Sequence, residues 1–423
     1  MGMTIAEKIL AFHTMDGKAT AGEIVEANVD LLMVHEVLGS RILPILDEMG
    51  FKKVWDPERV VIFNDHWAPA SDIDSAEIHR RNRNFAREQE IPHFCDVECG
   101  ISHQVIPEKG LVAPGELVVG SDSHTTTYGA LNVFSTGLAA TDSALILATG
   151  KNWFRVPESV RIEVRGDIKS PVMSKDLILK ILSDLGPDGA NYQSLEFTGS
   201  TIDGMQVSER MTMCNMAVEA GAKAAPMRVN RYVESWMKGF APSKKWIPVE
   251  PDEDATYVDH RVYDIDEEPI EPMVAVPDNP TNGRVAQEVE GVPIDQAFIG
   301  SCTNGRISDL EVAARILRGK KVRDGVRLII TPASRLTYMV ALEKGLIDIF
   351  MRAGGIVTNS TCGACVGGHL GVLGAGEVCI SSSNRNFRGR MGHQDSRIYL
   401  ASPATVAASA LRGVITDPRG IES

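Results

Sequence analysis

Apolar and polar residues follow one another along this chain in blocks that predict alternating strands and helices. Short apolar runs typical of buried strands lie at 29–34, 60–63, 117–119, 160–164, 195–198, 297–300 and 326–331. Apolar residues three and four positions apart predict helices at 4–12, 20–27, 74–90, 175–185, 309–317 and 335–346. Since strands and helices alternate, we expect three-layer α/β/α domains with mostly parallel sheets and helices on their faces.

The length and one change of composition indicate how the chain is divided. With 423 residues, two or three domains are expected, each with its own core. Residues 242–280 contain seven prolines, and 250–271 contain ten acidic residues. Such a stretch buries too little apolar surface to fold alone, so we predict a surface connection there. The predicted domains are 1–157, 158–283 and 284–423.

Composition excludes several functional classes. A net charge of −13 argues against a general nucleic-acid or membrane-surface binder. No apolar run approaches the length that spans a bilayer, and the first ten residues lack the apolar core of a signal peptide. Seven cysteines, an odd number spread over a long chain, do not resemble a secreted disulfide framework. We therefore expect a cytoplasmic location.

Three cysteines carry the strongest candidate chemistry. Cys302 lies in a Gly-Ser turn, and Cys362 and Cys365 form a CxxC within residues 354–376, which contain eight glycines. This spacing alone fits a redox pair or half of a zinc site. It also fits a four-iron cluster, which three thiolates would hold while one iron stays open to a substrate oxygen. The glycines suit backbone that wraps closely around a bulky inorganic group.

Polar residues directly after predicted strands mark a second candidate region. Residues 64–66 (Asn-Asp-His) follow one apolar run, and residues 122–124 (Asp-Ser-His) follow another. The carboxyl ends of strands in an α/β sheet are well placed for a site. In a protein of negative net charge, carboxylate substrates need local cations, for which the chain offers Arg385, Arg388 and Arg390.

A different group of residues could instead form a structural zinc site. Its ligands would be His93, Cys95, Cys99 and His103. The two cysteines of this group also fit the pattern of small buried side chains. A zinc hydrolase is a separate alternative for the function of the chain.

Seven segments, in order along the chain, resemble the aconitase superfamily. They are NDH at 64–66, GISHQ at 100–104, GSDSHT at 120–125, CNMAVEAGA at 214–222, SCTNGR at 301–306, TCGACVGGHLGVL at 361–373 and NRNFRGRMG at 384–392. Within the superfamily, the chain is most similar to the short catalytic large subunits of the isopropylmalate and homoaconitate isomerases. Residues 37–40 depart from the family's usual Pro-containing segment after the His-Glu pair. We therefore assign no substrate contact there.

The resemblance implies a role for each matching residue. It implies one [4Fe-4S] cluster per subunit with one open iron, held by Cys302, Cys362 and Cys365. The catalytic residues would be Asp65, His66, His103, Asp122, His124 and Glu219. The substrate-binding residues would be Ser123, Arg385 and Arg390. The cluster environment would comprise Asn215, Asn304 and Asn384. Because Asn215 and Glu219 are four residues apart, we expect both on one face of a helix.

The resemblance also implies the reaction and a partner. A hydro-lyase of this kind isomerises a hydroxy-di- or tricarboxylate by dehydration and rehydration, here 3-isopropylmalate of leucine biosynthesis. Alternative substrates are homoaconitate, 2,3-dimethylmalate, methylcitrate and aconitate, and a non-catalytic RNA-binding relative is a more distant alternative. The family's serine base and further arginines lie on a swivelling domain. Because the chain ends at Ser423, soon after the last segment, we expect a small partner subunit to supply them.

Overall fold

The structure is a computed structural model that describes residues 2–421. Its strands are β1 Ile24–Asn28, β2 Leu31–His35, β3 Val60–Phe63, β4 His93–Cys95, β5 Leu117–Gly120, β6 Phe134–Gly137, β7 Lys151–Arg155, β8 Ser159–Arg165, β9 Ser194–Thr198, β10 Asp259–Asp264, β11 Met273–Ala275, β12 Gly283–Val285, β13 Gln296–Ile299, β14 Arg327–Ile330, β15 Ile356–Val357, β16 Val378–Ser381 and β17 Arg397–Ala401. Its α-helices are α1 Ile5–His13, α2 Glu36–Glu48, α3 Ile73–Glu88, α4 Ser102–Glu108, α5 Ala140–Thr149, α6 Ser174–Leu185, α7 Ser200–Gly204, α8 Val207–Ala217, α9 Arg231–Phe240, α10 Ser301–Asn304, α11 Ile307–Leu317, α12 Arg335–Glu343, α13 Leu346–Ala353 and α14 Pro403–Arg412.

The first sheet has five parallel strands in the order β4-β3-β2-β5-β6. Strands β2, β3 and β5 come from the predicted apolar runs and are buried at every position. Successive side chains enter cores on opposite faces, Phe63 on one and Ile62 on the other. Since parallel strands end at the same edge of the sheet, three polar segments meet there, at 35–36, 64–66 and 121–124.

Residues 20–27, predicted as a helix, contain most of strand β1 instead. This strand pairs antiparallel with β7 in a two-stranded ribbon. Ile24 and Glu26 are exposed while Ala27 is buried. The helix prediction was wrong because the few apolar residues of this segment also fit the two-residue period of a strand.

The second sheet has three parallel strands in the order β10-β8-β9. Strand β10 lies inside the Pro- and acid-rich stretch that was predicted as a surface connection. Strand β11, from the same stretch, is fully buried and joins the third sheet. The predicted surface position was wrong for β11, because a strand distant in sequence completes its backbone hydrogen bonds and composition does not reveal such partners. No residue of β10 is buried, which agrees with a surface position.

The third sheet has seven strands in the order β12-β11-β17-β16-β13-β14-β15. The five strands from β17 to β15 are parallel. Strand β11 pairs antiparallel with β17, and β12 pairs antiparallel with β11. The sheets are thus mostly parallel with helices packed against them, and the predicted three-layer α/β/α class is confirmed. The predicted domain boundaries stay a prediction.

One apolar core joins the inner faces of all three sheets. It contains Phe63 from the first sheet, Phe197 from the second and Phe298 from the third, each almost fully buried. The candidate site lies between the first and third sheets, where the Cys362 N–H donates to the backbone carbonyl of Asp65, after β3, at 3.1 Å. None of the helices among residues 2–421 combines the length and the apolar character needed to cross a membrane.

Candidate active site

Three buried thiols come together where the first and third sheets meet. Cys302 lies in α10, directly after β13, and Cys362 and Cys365 lie in the loop between β15 and β16. They are 7%, 6% and 5% exposed, respectively. Ser301 Oγ lies 3.8 Å from the Cys302 sulfur and donates to the Cys365 sulfur at 3.5 Å. Cys362 packs with Cys302 against Ile101 and Ala333.

The three sulfurs are not all within 4.8 Å of one another, in the part of the chain that the structure describes. Ligands of a single zinc ion lie about 2.0–2.3 Å from the metal and therefore closer together than that. The wider spacing fits a polynuclear iron–sulfur group. Cys362 lies instead within 4.8 Å of Asp65 and His66, and His66 lies equally close to His35 and Glu36.

The alternative zinc site is not assembled. His93 faces the Glu58 carboxylate at 3.7 Å, whereas His103 faces Asp122 at 3.0 Å. Cys95 is buried at the end of β4, as expected for a small core side chain.

Amide and guanidinium groups surround the sulfurs with hydrogen-bond donors. Asn215 and Asn384 each donate from Nδ2 to the Cys302 sulfur, at 3.2 and 3.3 Å. The Arg390 guanidinium reaches the Cys365 sulfur at 3.9 Å. Burial raises the pKa of Cys302 to about 11. Burial acts in the same direction on Cys365, but Arg390 and Ser301 outweigh it and lower the pKa of this thiol. The pocket thus favours negatively charged sulfur at Cys365.

Asp65 and His66 form a buried carboxylate–imidazole pair at the end of β3. Asp65 Oδ1 pairs with His66 Nδ1 at 2.7 Å, and its Oδ2 accepts the Ser102 backbone N–H at 2.7 Å. Burial lowers the pKa of His66, but the adjacent Cys362 sulfur and Asp65 outweigh burial and hold this pKa well above its ordinary value. The pair therefore presents a proton-bearing imidazole beside a thiol.

Asp122, at the end of β5, links the other two predicted histidines. Its Oδ1 accepts the His124 backbone N–H at 2.7 Å and pairs with His103 Nε2 at 3.0 Å. Its Oδ2 lies 3.6 Å from His66 Nε2. Burial raises the pKa of Asp122, but hydrogen bonds from the histidines outweigh burial and hold the pKa well below its usual range. One carboxylate thus orients three imidazoles.

Glu219 joins this network from a different part of the chain. Its Oε1 pairs with His124 Nε2 at 2.7 Å and accepts from Arg385 Nε at 2.8 Å. Glu219 was predicted to share a helix face with Asn215, but α8 ends at Ala217 and Glu219 lies in the following 3-10 turn. Both residues nevertheless reach the site, since Asn215 contacts the Cys302 sulfur.

The predicted substrate-binding residues lie around this network. Ser123 directly follows Asp122 and is partly exposed, and the Arg385 side chain is 22% exposed. Arg390 Nε is buried and makes no hydrogen bond to residues 2–421. Asn215 and Asn384 donate to the Cys302 sulfur, whereas Asn304 Nδ2 donates to Asp309 Oδ1 at 3.0 Å.

The sequence analysis missed His35 and Glu36. The His35 ring stacks on His66 with 4.5 Å between ring centroids, and Glu36 Oε1 accepts the backbone N–H groups of His66 at 2.6 Å and Trp67 at 2.8 Å. Their position after an apolar run was the signal that could have identified them, as it identified Asp65. The unusual segment 37–40 forms the first part of α2, and its Val37 N–H donates to His35.

The chain matches known proteins over nearly its whole length. The profile of the aconitase family (aconitate hydratase) matches residues 7–413. The 3-isopropylmalate dehydratase large subunit 1 of Methanopyrus kandleri is 49% identical over 419 residues, covering 99% of each chain. A probable methanogen homoaconitase large subunit of Methanothermobacter thermautotrophicus is 49% identical over 421 residues, 99% of this chain and 98% of the relative. The 3-isopropylmalate dehydratase large subunit of Aquifex aeolicus is 49% identical over 423 residues, 99% of this chain and 97% of the relative.

Proposed function

This chain belongs to the aconitase family, and we propose that it is the large subunit of a hydro-lyase that interconverts 3-isopropylmalate and 2-isopropylmalate. The observation that carries the proposal is the convergence of three buried thiols with paired histidines and carboxylates. Relatives named 3-isopropylmalate dehydratase large subunit, which match the whole chain, support the choice of substrate. The proposed reaction removes water from the hydroxy acid and returns it at the neighbouring carbon.

Membership of the aconitase family implies a [4Fe-4S] cluster. We assign Cys302, Cys362 and Cys365 as its three protein ligands, one cluster per subunit, since all three are buried and have donors aimed at their sulfurs. With three cysteine ligands, the cluster when bound supplies a Lewis-acidic iron for the substrate hydroxyl. Asn215 and Asn384 stabilise negative charge on the Cys302 sulfur through their N–H groups. Asn304 supports the same turn from behind.

Three histidines handle the oxygen that leaves and returns. Asp65 holds His66 Nδ1, so His66 is oriented to donate its proton from Nε2 to the departing hydroxyl. Asp122 fixes His103 and His124 beside it, and Glu219 holds His124 Nε2. Because each of these carboxylates has at least two hydrogen-bonding partners, it keeps the imidazoles oriented without further reorganisation.

Cationic groups bind the substrate carboxylates. Arg385, beside Glu219, and Arg390, beside the Cys365 sulfur, offer planar guanidinium forks, and Ser123, next to Asp122, offers a hydroxyl. The same cations stabilise the carbanion-like charge that forms after proton loss.

A small subunit, which the relatives' name "large subunit" implies, would supply the serine that removes the proton and further arginines. Seven unpaired cysteines in the described chain fit a reducing cytoplasm.

Homoaconitate is the second candidate substrate. The relative named as a probable homoaconitase large subunit is as similar to this chain, at 49% identity, as the relative from Methanopyrus kandleri named as an isopropylmalate dehydratase. The arginines described above bind carboxylates common to both substrates, so they do not discriminate between them.

Anaerobic reconstitution with the small subunit tests the proposal. The holo-complex is assayed with isopropylmalate, homoaconitate, dimethylmalate, methylcitrate and citrate, with the reconstituted large subunit alone as the control. We expect the highest kcat/KM for isopropylmalate and little turnover without the small subunit. Turnover of another acid at the highest kcat/KM would refute the substrate, and full activity of the large subunit alone would refute the partner. Absence of bound iron and sulfide would refute the cofactor assignment.

A further inference from the structure

Lys175, in the first turn of α6, is a buried cation without a role in the site described so far. Its side chain is fully buried. Its Nζ donates to the backbone carbonyls of Ser383 at 2.6 Å and Ser382 at 2.9 Å, and to Asn304 Oδ1 at 3.5 Å. The serines directly precede Asn384, and Asn304 lies in the same short helix as Cys302. One ammonium group therefore ties together two segments that meet at the Cys302 sulfur.

No carboxylate in the described part of the chain forms an ion pair with this ammonium group. Asp309 is separated from it by the Asn304 amide, whose Nδ2 donates to Asp309 Oδ1 at 3.0 Å. Asp176 is adjacent in sequence, but its carboxylate accepts backbone N–H groups of Met173 at 2.8 Å and Met273 at 2.9 Å. Burial lowers the pKa of Lys175 to about 7, although Asp309, the thiols and Asp176 act in the opposite direction. The protein itself therefore leaves this buried charge without direct compensation.

A second buried cation lies on the same side of the cysteine turn. The Arg306 guanidinium donates to the backbone carbonyls of Cys302 and Thr303, both at 2.6 Å, and to the Gln104 side chain at 3.0 Å. Gln104 in turn donates to Glu108 Oε1 at 2.8 Å, as Asn304 donates to Asp309, so each cation is linked to a carboxylate only through a side-chain amide. Burying an ion costs several kcal/mol unless an opposite charge is close. The Lys175 ammonium and the Arg306 guanidinium behind Cys302 thus have no carboxylate in direct contact within the described chain.

We propose that Lys175 is a positioning residue that compensates the negative charge of the cysteine-bound cluster and holds the Cys302 and Asn384 segments at their spacing. The inference rests on the proposed function, because the cluster is the anion that compensates these cations. The hydrogen bonds of Lys175 within residues 2–421 go to the Ser382 and Ser383 carbonyls and to Asn304, so Lys175 acts through these groups and not on the substrate itself. A lysine with a purely structural role would stabilise the fold equally with and without the cluster. A lysine that compensates the cluster would also change the properties of the cluster itself.

The test uses the full-length chain after anaerobic reconstitution. Lys175→Met removes the charge and all donors, and Lys175→Gln removes the charge but keeps an amide donor. Lys180→Met is the matched control, since Lys180 lies on the same helix and pairs with Asp184 at the surface. For each protein, iron and sulfide content, the rate of iron loss and the midpoint potential of the cluster are measured.

Both Lys175 variants are expected to shift the midpoint potential to more negative values, because a nearby positive charge favours electron uptake. Lys175→Met is expected to lose iron about 10–100-fold faster, as for other residues that support metal ligands. Lys175→Gln should lose iron more slowly than Lys175→Met, and Lys180→Met should match the wild-type protein. If Lys175→Met does not fold, Lys175→Gln and the charge-retaining Lys175→Arg give the same comparison of potentials.

An unchanged potential and unchanged iron loss in folded Lys175 variants would overturn the inference. The same holds if the variants lower the melting temperature of the cluster-free protein and leave the potential unchanged, because that result assigns a structural role alone. A wild-type protein that binds no iron and sulfide would instead refute the proposed cofactor. The failure of the inference and the failure of the proposed function are therefore distinguishable.

Discussion

Replacing Glu36 by alanine tests whether the turn that carries Asp65 and His66 depends on a carboxylate from the neighbouring strand end. Glu36 is fully buried, and its Oε1 accepts the backbone N–H groups of His66 at 2.6 Å and Trp67 at 2.8 Å. A hydrogen bond to a charged group contributes about 1.5–3 kcal/mol. Glu36→Ala removes both bonds and is expected to destabilise the turn by about 3–6 kcal/mol.

Amide hydrogen exchange over residues 64–68, followed by mass spectrometry, measures this loss locally. A free-energy change of that size corresponds to exchange about 10²–10⁴-fold faster at the His66 and Trp67 amides. Glu36→Gln keeps a carbonyl acceptor at the same place, so its exchange is expected to change by about tenfold or less. The activity of the complex with the small subunit should fall in the same order, because His66 loses its fixed orientation.

Glu48→Ala is the control for general effects on α2, since Glu48 lies exposed at the other end of this helix. Its exchange over residues 64–68 should equal that of the wild-type protein. Unchanged protection of the two amides in Glu36→Ala would refute the reasoning, because the turn would then be held by contacts other than this carboxylate.

Three further predictions concern a ligand, a substrate contact and pH. Cys302→Ala is expected to abolish retention of iron and sulfide, whereas Cys379→Ala, on strand β16, should retain both; metal and sulfide analysis after anaerobic reconstitution checks this. Arg385→Lys is expected to lower kcat/KM about 10²-fold, because lysine cannot contact Glu219 and a carboxylate with the same planar fork. Arg388→Lys, whose exposed side chain contacts Asp395, should leave steady-state kinetics unchanged. Burial raises the pKa of Glu196 to about 7 from an ordinary value of 4.5, so the native state holds a proton that the unfolded chain releases between these values. The resulting stabilisation of about 3 kcal/mol is present below pH 4.5 and is lost as pH rises through about 7. Glu196→Gln should remove that dependence in thermal unfolding, and an unchanged pH profile would contradict the assignment.

The strands at the centre of each sheet were predictable because their own residues determine them. The apolar run at 60–63 coincides with β3, and the runs at 117–119 and 297–300 overlap β5 and β13. Side chains that are buried on both faces leave a continuous apolar pattern in the sequence. Strand β1, half exposed, carries a weaker pattern, and the helix predicted there was wrong.

The residues of the site likewise divide into those that the sequence indicated and those that only the structure revealed. Asp65 and Asp122 stand directly after apolar runs, so the sequence alone indicated polar groups at one edge of a parallel sheet. The spacing of Cys362 and Cys365 indicated two thiols close to one point, but it left a redox pair, zinc and a cluster open. Only the tertiary structure shows that Cys302 lies beside these thiols and that Asn215 and Asn384 donate to its sulfur.

Sequence by itself determined the fold class and the local groups of reactive residues, since both follow from short-range order along the chain. Tertiary structure decided which distant groups complete them. Glu36 supports the turn after a neighbouring strand, and Lys175 reaches carbonyls 207 and 208 residues away. A buried carboxylate or ammonium is stabilised by the partners that surround it in space, and local sequence does not reveal those partners. The residues that hold the site in place therefore had to be found in three dimensions.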